Sequence, residues 1–82
     1  MTLYEFLMLD DAMQYQTTWE LGVPIDNILY KNIHYILYAI NDFYVEVHYN
    51  APDNKIIGKL PFKSGEALDK YLIKFPPGSA LY

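Results

Sequence analysis

The sequence predicts an α+β fold, an antiparallel three- to four-stranded β-meander with two helices before it and one after, in the order α-α-β-β-β-β-α. Three observations carry that prediction. The spacing of apolar residues changes from helical to alternating near Val23 and returns to helical after Ser64. Two turn-forming stretches, Asn41-Asp42 and 50–55, divide the alternating region into segments of strand length. When those segments are zipped together about their turns, one face stays apolar across all three.

The elements follow in order. Thr2-Leu3-Tyr4-Glu5 is a capping box: the Thr hydroxyl can accept the Glu5 amide while the Glu carboxylate reaches back to the Thr amide. Leu3, Phe6 and Leu7 fall at i, i+3 and i+4, so a short helix is expected over 3–9. Asp10 and Asp11 end it and cap a second helix over 11–21, with Ala12, Tyr15 and Trp19 on one stripe. Gly22 stands where a left-handed C-terminal residue is expected, and Pro24 forbids continuation.

A strand is expected over about 23–29, turning back through Tyr30-Lys31-Asn32. With Asn41-Asp42 as a type I′ turn, the next hairpin pairs Ile40 with Phe43, Tyr38 with Val45, Ile36 with Val47 and His34 with Tyr49. The opposite face pairs Ala39 with Tyr44, Leu37 with Glu46 and Tyr35 with His48. Extending an unbroken register from Tyr49 opposite Ile56 brings Val47 to Gly58, Val45 to Leu60 and Phe43 to Phe62. Glu46 would then oppose Lys59 as a cross-strand ion pair. Pro61 would point away from the core, which requires 56–62 to be a sheet edge. Ser64 caps the last helix, whose stripe is Leu68, Tyr71, Leu72 and Phe75. Residues 1–75 therefore form one domain, and 76–82 a flexible C-terminal tail.

Composition narrows the function. Eighty-two residues make one domain, 52% apolar and 17% aromatic, with nine tyrosines. That much aromatic surface is hard to bury in so small a body, and the remainder suits an interface. The absence of cysteine removes disulfides, thiolate metal sites and thiol nucleophiles, and favours a cytoplasmic location. The opening run has no basic start and is interrupted by Glu5, unlike a signal peptide. No apolar stretch approaches the ~20 residues of a membrane helix. Formal charge is −4, divided as −7 over residues 1–54 and +3 over 55–82, with no arginine anywhere. That balance argues against nucleic acid as a partner, even with tyrosines and Lys55, Lys59 and Lys63 on a sheet.

No constellation carries catalysis. His34 and His48 fall on opposite faces. Glu46, His48 and Tyr35 share a face, but two ligands and a phenol fall short of a zinc site. Thr2 and Ser64 are used as caps, and a domain of this size has little room for a pocket of ~300 Å³. The chain is read as a non-enzyme with no cofactor, metal or small-molecule ligand. The leading expectation is a protein-binding or self-associating module whose contact patch is Tyr35, Leu37, Tyr44, His48 and Ile57, so that its partner is another protein or a homo-oligomer mate. The other reading is an acidic antagonist of a nucleic-acid-handling enzyme, presenting Asp10, Asp11, Glu20, Asp26 and Asp42.

The opening Thr2-Leu3-Tyr4-Glu5-Phe6, the strand Phe43-Tyr44-Val45-Glu46-Val47 and the helix-to-sheet segment Trp19-Glu20-Leu21-Gly22-Val23 resemble a group of small bacterial proteins of gut anaerobes and their mobile elements. Phe62-Lys63-Ser64 with Leu68, Tyr71 and Leu72 extends the likeness over most of the chain. These motifs are structural. The resemblance implies a bacterial, cytoplasmic, single-domain protein and brings no activity with it.

Overall fold

The computed structural model describes residues 1–65 together with Leu68, Asp69 and Tyr71. Two helices, α1 (Leu3–Leu7) and α2 (Asp11–Leu21), precede four strands: β1 (Val23–Tyr30), β2 (Ile33–Ile40), β3 (Phe43–Asn50) and β4 (Lys55–Phe62). The strands form one antiparallel sheet in the order β1-β2-β3-β4. The two N-terminal helices and the meander are therefore present. The expected C-terminal helix and the tail 76–82 fall almost wholly outside the described residues.

Both caps at the N-terminus form. Thr2 N–H donates to Glu5 Oε1 at 2.8 Å, and Glu5 N–H donates to Thr2 Oγ1 at 3.2 Å. α1 stops at Leu7, two residues before the expected end. The Met8 N–H is shared between the carbonyls of Tyr4 and Glu5, Leu9 N–H donates to the Phe6 carbonyl three residues back, and the Gln14 side-chain amide donates to the carbonyls of Phe6 and Leu9. Asp10 then caps α2 by accepting Met13 N–H at 2.8 Å.

Gly22 is not left-handed. Its φ of −76° and ψ of 140° are extended. Glycine is required there by close approach instead: a Cβ would lie 2.5 Å from the Thr18 carbonyl oxygen and 3.2 Å from Tyr38 Cβ. The β1–β2 turn has positive φ at both Lys31 (50°) and Asn32 (67°), the type I′ pattern. At Asn41-Asp42 positive φ occurs at Asn41 alone (52°), so the expected type I′ turn is not formed there.

The β2–β3 register matches the expected pairing, from Ile40 opposite Phe43 to His34 opposite Tyr49. The β3–β4 register does not. Tyr49 faces Ile56, but His48 faces Gly58, so Ile57 is an extra residue on β4. Beyond this bulge every side chain of β4 changes face. Val47 opposes Lys59, Glu46 opposes Leu60, Val45 opposes Pro61 and Tyr44 opposes Phe62. The Glu46–Lys59 pair is therefore not made. Leu60 and Phe62 leave the face of Ile36, Tyr38, Val45 and Val47, and Pro61 joins it. The edge position of β4 is retained, and there Pro61 removes no ladder hydrogen bond.

The two faces are buried by different parts of the chain. On one, Ile40, Phe43, Val45 and Val47 pack beneath α1 and α2, through Phe6, Leu3, Leu9 and Tyr15. Phe6 is fully buried and packs tilted against Phe43, with ring centroids 5.5 Å apart. Lys59, carried onto this face by the bulge, lies 4.2 Å over the Tyr15 ring and bonds Asp11 at the start of α2. On the other face, Ile28, Leu37 and Phe62 pack with Tyr71, flanked by Tyr35, Tyr44 and Leu68.

Candidate functional site

The second sheet face holds the residues expected to form a contact patch, together with a buried carboxylate that the expected register had placed in a surface ion pair. Glu46 is 1% exposed. Its Oε1 lies 2.6 Å from His48 Nε2, and its Oε2 accepts the Tyr71 hydroxyl at 2.6 Å. The i, i+2 spacing on β3 puts Glu46 and His48 on one face. The bulge brings Leu60 rather than Lys59 opposite Glu46. Burial pushes the Tyr71 phenol up, and the hydrogen bond and negative charge of Glu46 push it further, with smaller contributions from Asp26 and Tyr35. On the helix-covered face, burial first and Tyr38 second raise the Tyr49 phenol to about 12.

The expected patch is only partly a surface. Tyr35 packs edge-on against His48, with ring centroids 5.0 Å apart, and Tyr44 tilts against Phe62 at 5.5 Å. Leu37 is buried beneath them, in contact with the cluster that includes Tyr71. Ile57 is exposed, but as the bulge residue at the sheet edge. His34 lies on the helix-covered face beside Tyr49, so the histidines are separated by the sheet. Among the described residues no three His, Cys, Asp or Glu side chains gather to hold a metal ion. No helix among them is long and apolar enough to cross a membrane.

A groove of about 580 Å³ opens between α1 and the end of the sheet, lined by Thr2, Leu3, Tyr4, Leu7, Asp42 and Lys63. It is larger than a chain of this length was expected to contain. Three of its polar side chains are engaged, Thr2 in the capping box and Asp42 with Lys63 at 3.2 Å, while Tyr4 is largely exposed.

The five carboxylates considered for a charge-presenting surface all have partners within the chain. Asp10 caps α2, Asp11 pairs with Lys59, Asp42 with Lys63, Asp26 accepts Asn27 N–H at 2.8 Å, and Glu20 accepts the Gln16 amide at 3.2 Å.

A concentration of exposed apolar side chains lies elsewhere among the described residues, where α2 passes into β1. Trp19, Leu21, Val23 and Ile25 are 45, 53, 59 and 51% exposed within seven residues of chain. Sequence reasoning missed this surface because it assigned Trp19 to the buried stripe of α2. Trp19 does pack edge-on against Tyr38 at 5.6 Å and beside Tyr15 at 6.1 Å, yet nearly half of it stays exposed. The close approach of Gly22 to Tyr38 turns the chain directly from helix to edge strand and leaves the flanking Leu21 and Val23 outside.

The edge itself is guarded. Pro24 lacks an N–H, the ladder is interrupted between Pro24 and Asp26, and the Asp26 side chain takes the Asn27 N–H. Pro61 and the Ile57 bulge guard the β4 edge in the same way.

In comparisons with known proteins, no family model matches the chain, and no curated protein or solved structure is significantly similar to it.

Proposed function

We propose that this chain is a small non-catalytic protein-binding module that engages its partner through side chains at the α2–β1 junction. The observation that carries the reading is the half-exposure of Trp19, Leu21, Val23 and Ile25 together on one short segment. Scattered exposed apolar residues mean little, but four on one short segment, wrapped around the β1 edge from Trp19 beside Tyr38 to Val23 opposite Ala39, suit an interface. Trp is also the side chain most enriched among residues that dominate binding energy. The guarded edges favour docking through side chains over addition of a strand. Tyr35, Tyr44 and His48 form a secondary surface, and Leu37 supports it from below. A cysteine-free chain fits a reducing cytoplasm.

The test uses the full chain with Ile25→Asp and Val23→Asp, both at exposed positions, so that helix and sheet content and melting temperature should stay close to wild type. Affinity capture with cross-linking and sedimentation velocity should give a complex for the wild type that both variants lose. A complex equally abundant with either variant refutes the assignment to this junction, and a wild type that forms none under any condition refutes the binding reading.

A further inference from the structure

The junction segment lies in an acidic stretch of the sequence. Residues 1–30 contain Glu5, Asp10, Asp11, Glu20 and Asp26 and no lysine or arginine. Glu20 sits between Trp19 and Leu21 in sequence, is exposed, and accepts its hydrogen bond from a neutral amide. Asp11 is different, because the Lys59 ammonium offsets it. Glu20 is therefore a carboxylate without a lysine partner among the described residues, next in sequence to two side chains of the patch.

Resting on the protein-binding reading above, we infer that the partner is a different protein whose docking surface is an apolar strip bordered by lysine or arginine. Two observations argue against a second copy of this chain on the same patch. A two-fold interface sets one patch against itself, so Glu20 would be brought toward the patch of its mate, which carries the same Glu20, bonded to a neutral amide and not to a lysine. The main alternative route to self-association, pairing of sheet edges, meets Pro24 and the Asp26–Asn27 bond on β1 and Pro61 with the Ile57 bulge on β4. Electrostatic complementarity across an interface sets partner choice and encounter rate, and like charge at a rim disfavours wrong partners.

Trp19 is the sole tryptophan and is part of the patch, so its fluorescence reports occupancy directly. Two synthetic amphipathic peptides of equal length and equal leucine content, one with lysine and one with glutamate as its polar residue, serve as probes of the full chain. The Leu/Lys peptide should shift Trp19 emission to shorter wavelength and bind about 10-fold more tightly than Leu/Glu at low salt, the difference shrinking as salt screens it. Ile25→Asp should abolish the shift, and Glu20→Lys should erase or reverse the preference. Equal binding of both peptides, still abolished by Ile25→Asp, overturns the charge inference and leaves the binding surface standing. Leu/Lys binding indifferent to Ile25→Asp, or no shift with either peptide, overturns the inference together with the assignment of the patch.

Discussion

The bond from the Tyr71 hydroxyl to Glu46 gives the sharpest test of the buried carboxylate. Tyr71→Phe removes one oxygen and leaves the ring in place against Ile28, Leu37 and Phe62. The lost contact is a 2.6 Å hydrogen bond to a carboxylate that is 1% exposed. Hydrogen bonds to charged groups contribute about 1.5–3 kcal/mol, and a buried carboxylate that loses a donor pays part of its desolvation unrelieved. The expected destabilisation is therefore about 1.5–3 kcal/mol, read as a lower urea midpoint at constant slope. At ~4–8 °C per kcal/mol for a domain of this size, melting should fall by roughly 6–24 °C. Glu46→Leu in the same background separates the terms, because replacing a buried charged cluster by apolar side chains is often neutral or stabilising. The double variant should recover most of the loss, with a coupling energy of about 1–3 kcal/mol. A Tyr71→Phe variant within ~0.3 kcal/mol of wild type, or a double variant whose losses simply add, would refute the burial argument.

Three further outcomes follow from the packing and the raised phenols. Phe6→Ala, which empties a fully buried ring site against Phe43, should cost about 3–5 kcal/mol in chemical denaturation. Gly22→Ala should destabilise by at least ~1–2 kcal/mol, because its Cβ would sit 2.5 Å from the Thr18 carbonyl oxygen and neither backbone can yield freely. A neutral result would place the need for glycine elsewhere. The phenols of Tyr49, raised to about 12, and of Tyr71, raised further, titrate above the ~10 of an unfolded tyrosine. A raised folded value means stability is complete below pH ~10 and is lost as pH climbs from there through the folded values, since the unfolded chain releases those protons first. Urea midpoints should hold up to about pH 9.5 and then decline, and Tyr49→Phe should make the decline shallower.

Much of the architecture is determined locally and is therefore readable in the sequence. The reciprocal Thr2–Glu5 cap, the Asp10 start of α2, the change of apolar period after Gly22 and the Lys31-Asn32 and 50–55 turns each depend on a few adjacent residues. The β2–β3 register follows from the same kind of information, since a two-residue connection leaves one pairing that keeps Ile40, Phe43, Val45 and Val47 together.

Only the tertiary structure decided the rest. Ile56 and Ile57 are consecutive, and β4 offers apolar side chains on both faces, so its alternation is compatible with either register. The choice rests on both layers at once. With the Ile57 bulge, Phe62 meets Leu37 and Tyr71, while Lys59 reaches Asp11 and Tyr15 on the helix side. That one extra residue takes Lys59 away from Glu46 and turns an expected surface ion pair into a buried carboxylate. Which face the helices cover, and hence that Trp19 and its neighbours at the α2–β1 junction stay half-exposed, depends on contacts between residues distant in the chain. Local spacing carries no information about them.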